Sequence, residues 1–375
     1  VGSIAVLAGC GTSSGSSTPT EAVDELGDYE GEVSIIAWAG YVEDGSNDPD
    51  YDWVSGFEEK TGCQVTSKTF NTSDEAVTLM KTGDYDVVSA SGDASLRLIA
   101  AGDVQPVNVD LIPSYEGVYD FLKDQPWNTV DGEHYGVPHG YGANLLLYNT
   151  EVVTPAPTSW DVVFDKAGDY SGKITAYDNP IYIADAAVYL MTHQPDLGIE
   201  NPYALDETQF QAAVDLLKEQ RQHVGEYWSD YLKEIQAFET GDSVAGTTWQ
   251  VIQNVLAGGG ATTDVVLPDE GATGWSDTWM ISSTTEHPNC SYAWLDWIAS
   301  PEVNGVATSY FGEAPSSDAA CDYREDCEAY HAGDADYASQ IWYWTTPIAE
   351  CLDGRTDVEC MDYSAWTEAW SEIKG

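Results

Sequence analysis

The chain has 375 residues, too many for one small module and suited to two medium domains or lobes. It carries 64 acidic against 13 basic residues, a formal charge of −51 that repels phosphates and anionic lipid heads and so excludes nucleic acid as a partner. Its 43% hydrophobic content, with 14 Trp and 23 Tyr, is far too high for a disordered acidic chain, so most of the acids coat a folded core as a hydrated surface.

In chain order, the segment Val1–Gly9 reads as the residue of a signal peptide. Leu7-Ala-Gly-Cys10 resembles a bacterial lipobox, in which Cys10 would carry the lipid. The Gly/Ser/Thr run that follows, up to about residue 30, reads as a flexible tether. Val33–Trp38 reads as a buried strand. Trp53 and Phe57 stand at helical spacing ahead of Gly62, a plausible helix-ending glycine. Gln64–Phe70 reads as a strand, Asp74–Lys81 as a helix and Tyr85–Val88 as a strand, which together make an α/β unit with parallel strands. His134–Gly142 leads into a crossing strand, Leu145–Tyr148, and Ile174–Tyr177 opens a second α/β set. Asp206 with Gln209 has the form of a capping box. A helix ending near Gly258–Gly260 precedes the strand Asp264–Leu267, and Trp279–Ile281 reads as a further strand. Tyr292, Leu295 and Ile298 form a helical stripe, and Ser300-Pro301 starts another helix. Cys321 pairs with Cys327 and Cys351 with Cys360 as sequence neighbours, which leaves Cys63 for Cys290.

Most motifs of chemistry fail on context. Gly11–Gly15 matches a nucleophile elbow but lies in the tether, with no strand before it. Asp48, Asp50, Asp52 and Glu59 fall in a calcium-loop register, but Trp53 stands where the loop's glycine belongs. The six His residues form no metal-ligand spacing, so neither a metal nor a cofactor is expected. What remains is a set of aromatics beside carboxylates at expected strand ends: Trp38 with Tyr41, Tyr177-Asp178, Trp249, and Trp275-Ser-Asp277. Ring faces attract cations and a buried carboxylate needs a counter-charge, so the set suits an alkyl amine: rings for methylenes, acids for nitrogens.

At these residues the sequence resembles the bacterial spermidine/putrescine-binding proteins, the solute receptors of polyamine ABC importers. Ala37–Tyr41, Phe57–Gly62, Gly83–Val88, Gly136–Gly142 and Asp264–Gly271 followed by Trp275-Ser-Asp277 carry the resemblance, in order and spacing, across nearly all of the chain from about residue 31. It implies an α/β fold, the two-lobed periplasmic-binding-protein fold of type II. Each lobe would be a mixed sheet flanked by helices, with a hinge between. The division expected is 31–142 with 278–318 for one lobe and 143–277 with 319–375 for the other. It further implies a ligand site of Trp38, Tyr41, Ser91, Asp178, Trp249, Trp275, Asp277 and Glu313. Two departures shift a charge: Ile181 stands where the family has Glu, and Glu313 where it has Tyr. The function implied is a lipid-anchored, extracytoplasmic, monomeric receptor. It would have no catalytic role and would pass a polyamine or related organic cation to importer permease subunits. The rivals are a same-fold receptor for iron or a sugar, and a secreted hydrolase with Asp277 and Glu313 as paired carboxylates.

Overall fold

The computed structural model describes residues 22–375, so the lipidation expected at Cys10 and the signal segment lie outside the described residues. Two sheets organise the chain. The larger takes the strands Glu32–Trp38, Gln64–Phe70 and Val87–Ala90 in parallel, and Ala272–Ile281 runs antiparallel between Val87–Ala90 and Val137–Ala143. Ala314–Pro315 closes one edge, and Ile341–Tyr343 pairs with the start of Ala272–Ile281. The smaller sheet takes Thr263–Val266, Leu145–Asn149, Ala245–Thr248, Ile174–Tyr177 and Val224–Trp228, in that spatial order.

Local sequence explains most of the elements. Gly62 ends the helix Val54–Thr61 at φ +77°, where a side chain would be strained. Trp53 caps that helix instead of riding on it, with its indole N–H on the Tyr41 carbonyl. The third strand starts two residues later than the pattern suggests. Asp86 lies in the turn before it, where its carboxylate accepts from the Ser34 N–H and hydroxyl. Asp206 and Gln209 form the reciprocal capping box on the helix Glu207–Arg221. Disulfides join Cys63–Cys290, Cys321–Cys327 and Cys351–Cys360.

One expectation needs correction. Trp275 and Asp277 do not lie in a loop; they sit inside the strand Ala272–Ile281, which also absorbs Trp279–Ile281. All of its residues are buried, so no polar alternation betrays it as a strand. The lobe boundary expected at 277/278 therefore falls within one strand of the larger sheet, at the bulge between Asp277 and Thr278. The chain passes from the large sheet to the small one at Asn144, between the strands Val137–Ala143 and Leu145–Asn149. It returns between Val266 and Ala272.

Candidate ligand-binding site

Residues i and i+2 of a strand face the same way, so Trp275 and Asp277 project together from Ala272–Ile281. Tyr41 follows the first strand in a turn shaped by Gly40 at φ +91°. Its hydroxyl donates to Asp277 Oδ2 at 2.8 Å and lies 3.4 Å from Glu313 Oε2. The Trp275 indole N–H donates to the same Glu313 oxygen at 3.0 Å. Glycines seat both partners. A Cβ on Gly142 would stand 2.2 Å from the Trp275 ring, and one on Gly140 would stand 2.8 Å from the Glu313 carboxyl. The Pro-His-Gly-Tyr-Gly run of the crossing segment is thus the floor of this cluster.

Three carboxyls here are fully buried and each keeps one oxygen without a hydrogen-bond partner: Asp277 Oδ1, Glu313 Oε1 and Asp93 Oδ2. Burial pushes Asp277 up to about 6, although the hydroxyls of Ser91 and Tyr41 favour its ionised form. Ser91 caps the helix Gly92–Ala101 without spending its side chain on that helix. Burial, reinforced by the Asp277 charge, pushes Glu313 up to about 8. Asp93, in the first turn of the same helix, accepts from Ser73 Oγ at 2.8 Å and is pushed by burial up to about 6. His139 stacks on Tyr41 with centroids 4.1 Å apart and places Nε2 3.6 Å from Glu313 Oε1. Burial holds this imidazole down to about 3, so it is neutral and supplies no counter-charge. Among the described residues, no Lys or Arg forms a salt bridge with any of the three acids.

Beside them the two sheets interleave their aromatics. Tyr177 and Trp228 end strands of the small sheet, with ring centroids 5.2 Å apart. Trp249, at the N-cap of the helix Gln250–Gly258, lies 5.0 Å from Trp228 and 5.3 Å from Trp275. Trp344 closes the circuit, 6.2 Å from Trp275 and stacked on Tyr177 at 5.6 Å. The Trp249 N–H is held by Asn144 Oδ1 at 3.0 Å, at the crossing between the sheets.

Of the residues expected from sequence, Tyr41, Ser91, Trp249, Trp275, Asp277 and Glu313 come together. Trp38 does not join them: it packs edge-on against Phe70 at 4.6 Å. Asp178 does not either, for its carboxylate accepts from Lys374 Nζ at 2.6 and 2.9 Å and from the Trp370 indole. Asp93, His139, Trp228 and Trp344 were not anticipated. The aromatic run Trp342-Tyr343-Trp344 was the one local signal for the last of these.

No helix among the described residues is long and apolar enough to cross a membrane, and no group of His, Cys, Asp and Glu there is placed to hold a metal. A putrescine/agmatine-binding protein of Pseudomonas aeruginosa is 24% identical over 294 residues, covering 72% of this chain and 77% of the relative. A putrescine/cadaverine-binding protein of the same organism is 21% identical over 356 residues, covering 91% and 92%. Among solved structures, the spermidine/putrescine ABC transporter substrate-binding protein PotD of Streptococcus pneumoniae superposes with a TM-score of 0.69 at 19% identity, covering 91% of this chain and 97% of that one. The TpPotD lipoprotein of Treponema pallidum does so with a TM-score of 0.73 at 16% identity, covering 92% and 99%. These likenesses establish the two-lobed fold. The family model for bacterial extracellular solute-binding proteins matches residues 52–332, and the chain belongs to that family.

Proposed function

We propose that the protein captures a polyamine of the putrescine class between its two lobes and delivers it to an ABC importer, held outside the cytoplasm by a lipid on Cys10. The observation that carries this is the buried acid cluster: Asp93, Asp277 and Glu313 each keep an unpartnered oxygen next to a circuit of aromatic rings. An uncompensated buried carboxylate is costly, and an ammonium relieves that cost while the rings cover methylenes and attract the cation. Asp277 and Glu313, joined through the Tyr41 hydroxyl, would share one ammonium. Asp93 takes the role that Asp178 was expected to fill, because Asp178 already holds Lys374. Trp275, Trp249 and Trp344 would lie along the alkyl chain. The names of the two Pseudomonas relatives agree with a short diamine.

Closure follows from the same geometry. Tyr177 and Trp228 end strands of the small sheet and Trp249 directly follows one, whereas Trp275 and Asp277 lie in a strand of the large sheet and Tyr41 in the turn after another. A ligand that touches both sets binds the closed arrangement better than an open one and shifts the population toward it. No chemistry on the ligand is needed.

Calorimetry with putrescine, cadaverine, agmatine, spermidine, a monoamine and neutral amino acids tests the reading. One-to-one binding of diamines, much weaker binding of the monoamine and no product on prolonged incubation are expected. Preference for a neutral solute, or turnover, would overturn it. Mass spectrometry of the membrane-extracted protein tests the lipid on Cys10.

A further inference from the structure

The main chain of Glu313 is clamped through both its N–H and its carbonyl. Gly312, at φ +93°, and Glu313 both donate their N–H groups to the Thr308 carbonyl, at 2.9 and 3.0 Å. On the other side the Glu313 carbonyl accepts from Arg324 Nη1 at 2.7 Å, and the same nitrogen reaches Thr308 Oγ1 at 2.8 Å. The Arg324 side chain is fully buried; its Nε binds Asp326 at 2.5 Å and its guanidinium lies 5.1 Å over the Tyr330 ring. Arg324 stands midway between Cys321 and Cys327, inside the small ring that their disulfide closes. The ring and the residue before it press on the helix Pro301–Phe311 at Gly305, where a Cβ would stand 2.4 Å from the Ala320 carbonyl oxygen and 3.1 Å from Tyr323 Cβ. A basic residue is rare in this chain, and this one is spent where it has no contact with water.

We infer that Arg324, locked in the Cys321–Cys327 ring, is a positioning residue of the binding site, which fixes the main chain of Glu313 and supplies the permanent positive charge nearest its carboxylate. The inference rests on the reading that Glu313 faces the ligand. The other titratable groups around Glu313 are Tyr41 from the turn after the first strand, neutral His139 from the crossing strand, Asp277 from Ala272–Ile281, and Tyr330 beside the ring. None of them is a cation; the Trp275 N–H and the Tyr41 hydroxyl favour the ionised form by hydrogen bonding, and Arg324 is the positive charge that favours it. The disulfide contributes by restricting the loop main chain from which the guanidinium projects.

The test titrates Glu313 directly. In protein with ¹³C-labelled glutamate, the Glu313 carboxyl resonance is assigned by its loss in Glu313→Gln and followed with pH in the free protein. Arg324→Gln should raise its midpoint by roughly 0.5–1 pH unit, and Arg324→Lys should bring it back toward wild type. Putrescine affinity should fall roughly tenfold in Arg324→Gln, but by less than about twofold when the same change is made on Glu313→Gln. The double variant Cys321→Ser/Cys327→Ser keeps Arg324 and removes the ring; if Arg324→Gln does not fold, this variant gives the same readout, with a smaller upward shift expected. An unmoved midpoint in a folded variant, or an equal affinity loss with and without Glu313, would overturn the inference. If wild type binds no amine, the proposed ligand class fails, while the titration still decides the role of Arg324.

Discussion

The fully buried acids among the described residues are not alike, and Glu234 and Glu313 show the contrast. Beneath the small sheet, Glu234 is fully buried and its acidity is strongly suppressed by burial, as for Glu313 in the large-sheet wall. Yet both Glu234 oxygens are answered, one by Thr175 Oγ1 at 3.4 Å and the other by Thr248 Oγ1 at 3.2 Å. Hydroxyls donate to a neutral or charged carboxyl alike, so Glu234 is at rest in the folded protein. Asp277, Glu313 and Asp93 differ by the oxygen each leaves unanswered, and Glu313 also by the Trp275 indole N–H that it accepts. Among the fully buried acids, burial and a raised pKa therefore do not mark out the candidate site; the unanswered oxygen does.

The largest expected break in this comparison comes from Asp277→Asn. Removing one of the two carboxylates that would share a buried ligand ammonium should weaken putrescine binding by about 3–5 kcal/mol, roughly two to three and a half decades in Kd by calorimetry. Glu234→Gln should leave Kd within about twofold, and a large loss there would erase the distinction drawn above. Glu313→Gln should cost about 1.5–3 kcal/mol, unequally across amines, because only a nitrogen that reaches residue 313 loses a charge-assisted bond. An equal, small loss for every amine would remove Glu313 from the ligand contacts.

The pH dependence sharpens the same contrast. The folded pKa of Glu313 lies near 8 against an ordinary 4.5, so the native state binds more protons than the unfolded one between those values. Stability of the ligand-free protein should therefore fall as pH rises through that window, with a slope of at most about 1.4 kcal/mol per pH unit for one proton. Denaturant titrations of wild type and Glu313→Gln should show a flatter profile in the variant. Diamine affinity should rise over the same range, with proton release on binding. The smallest effect is expected from Lys374→Met. Its ion pair with Asp178 is partly exposed, so stability should drop by about 0–1 kcal/mol and Kd should hardly change. A clear change in affinity would return Asp178 to the site.

The α/β alternation and the helix caps were legible in the sequence because both are local. Gly62 and the Asp206/Gln209 box need only their neighbours, and each stands where the pattern placed it. The site was legible in part, through residue chemistry: a Trp two residues before an Asp is suited to a cation wherever it sits, although its loop placement was mistaken. Asp178 misled because the lysine that neutralises it comes from 196 residues away. Asp93 and His139 were missed for the matching reason. An acid in the first turn of a helix and a lone histidine each have an ordinary local explanation, and only the packing of distant segments shows that their polar atoms go unanswered.

The path of the strand Ala272–Ile281 has a consequence for how the protein is made. It lies between Val137–Ala143 and Val87–Ala90, so the large sheet is two separate pieces until residue 281 is available. Every strand of the small sheet falls between Leu145 and Val266. A chain emerging N-terminus first thus holds the complete set of small-sheet strands before it can join the halves of the large sheet, a pairing of high sequence separation and slow formation. The sheet that begins first finishes last, and a polypeptide stopped at residue 270 would present the aromatic wall of Tyr177, Trp228 and Trp249 without Trp275 and Trp344 against it.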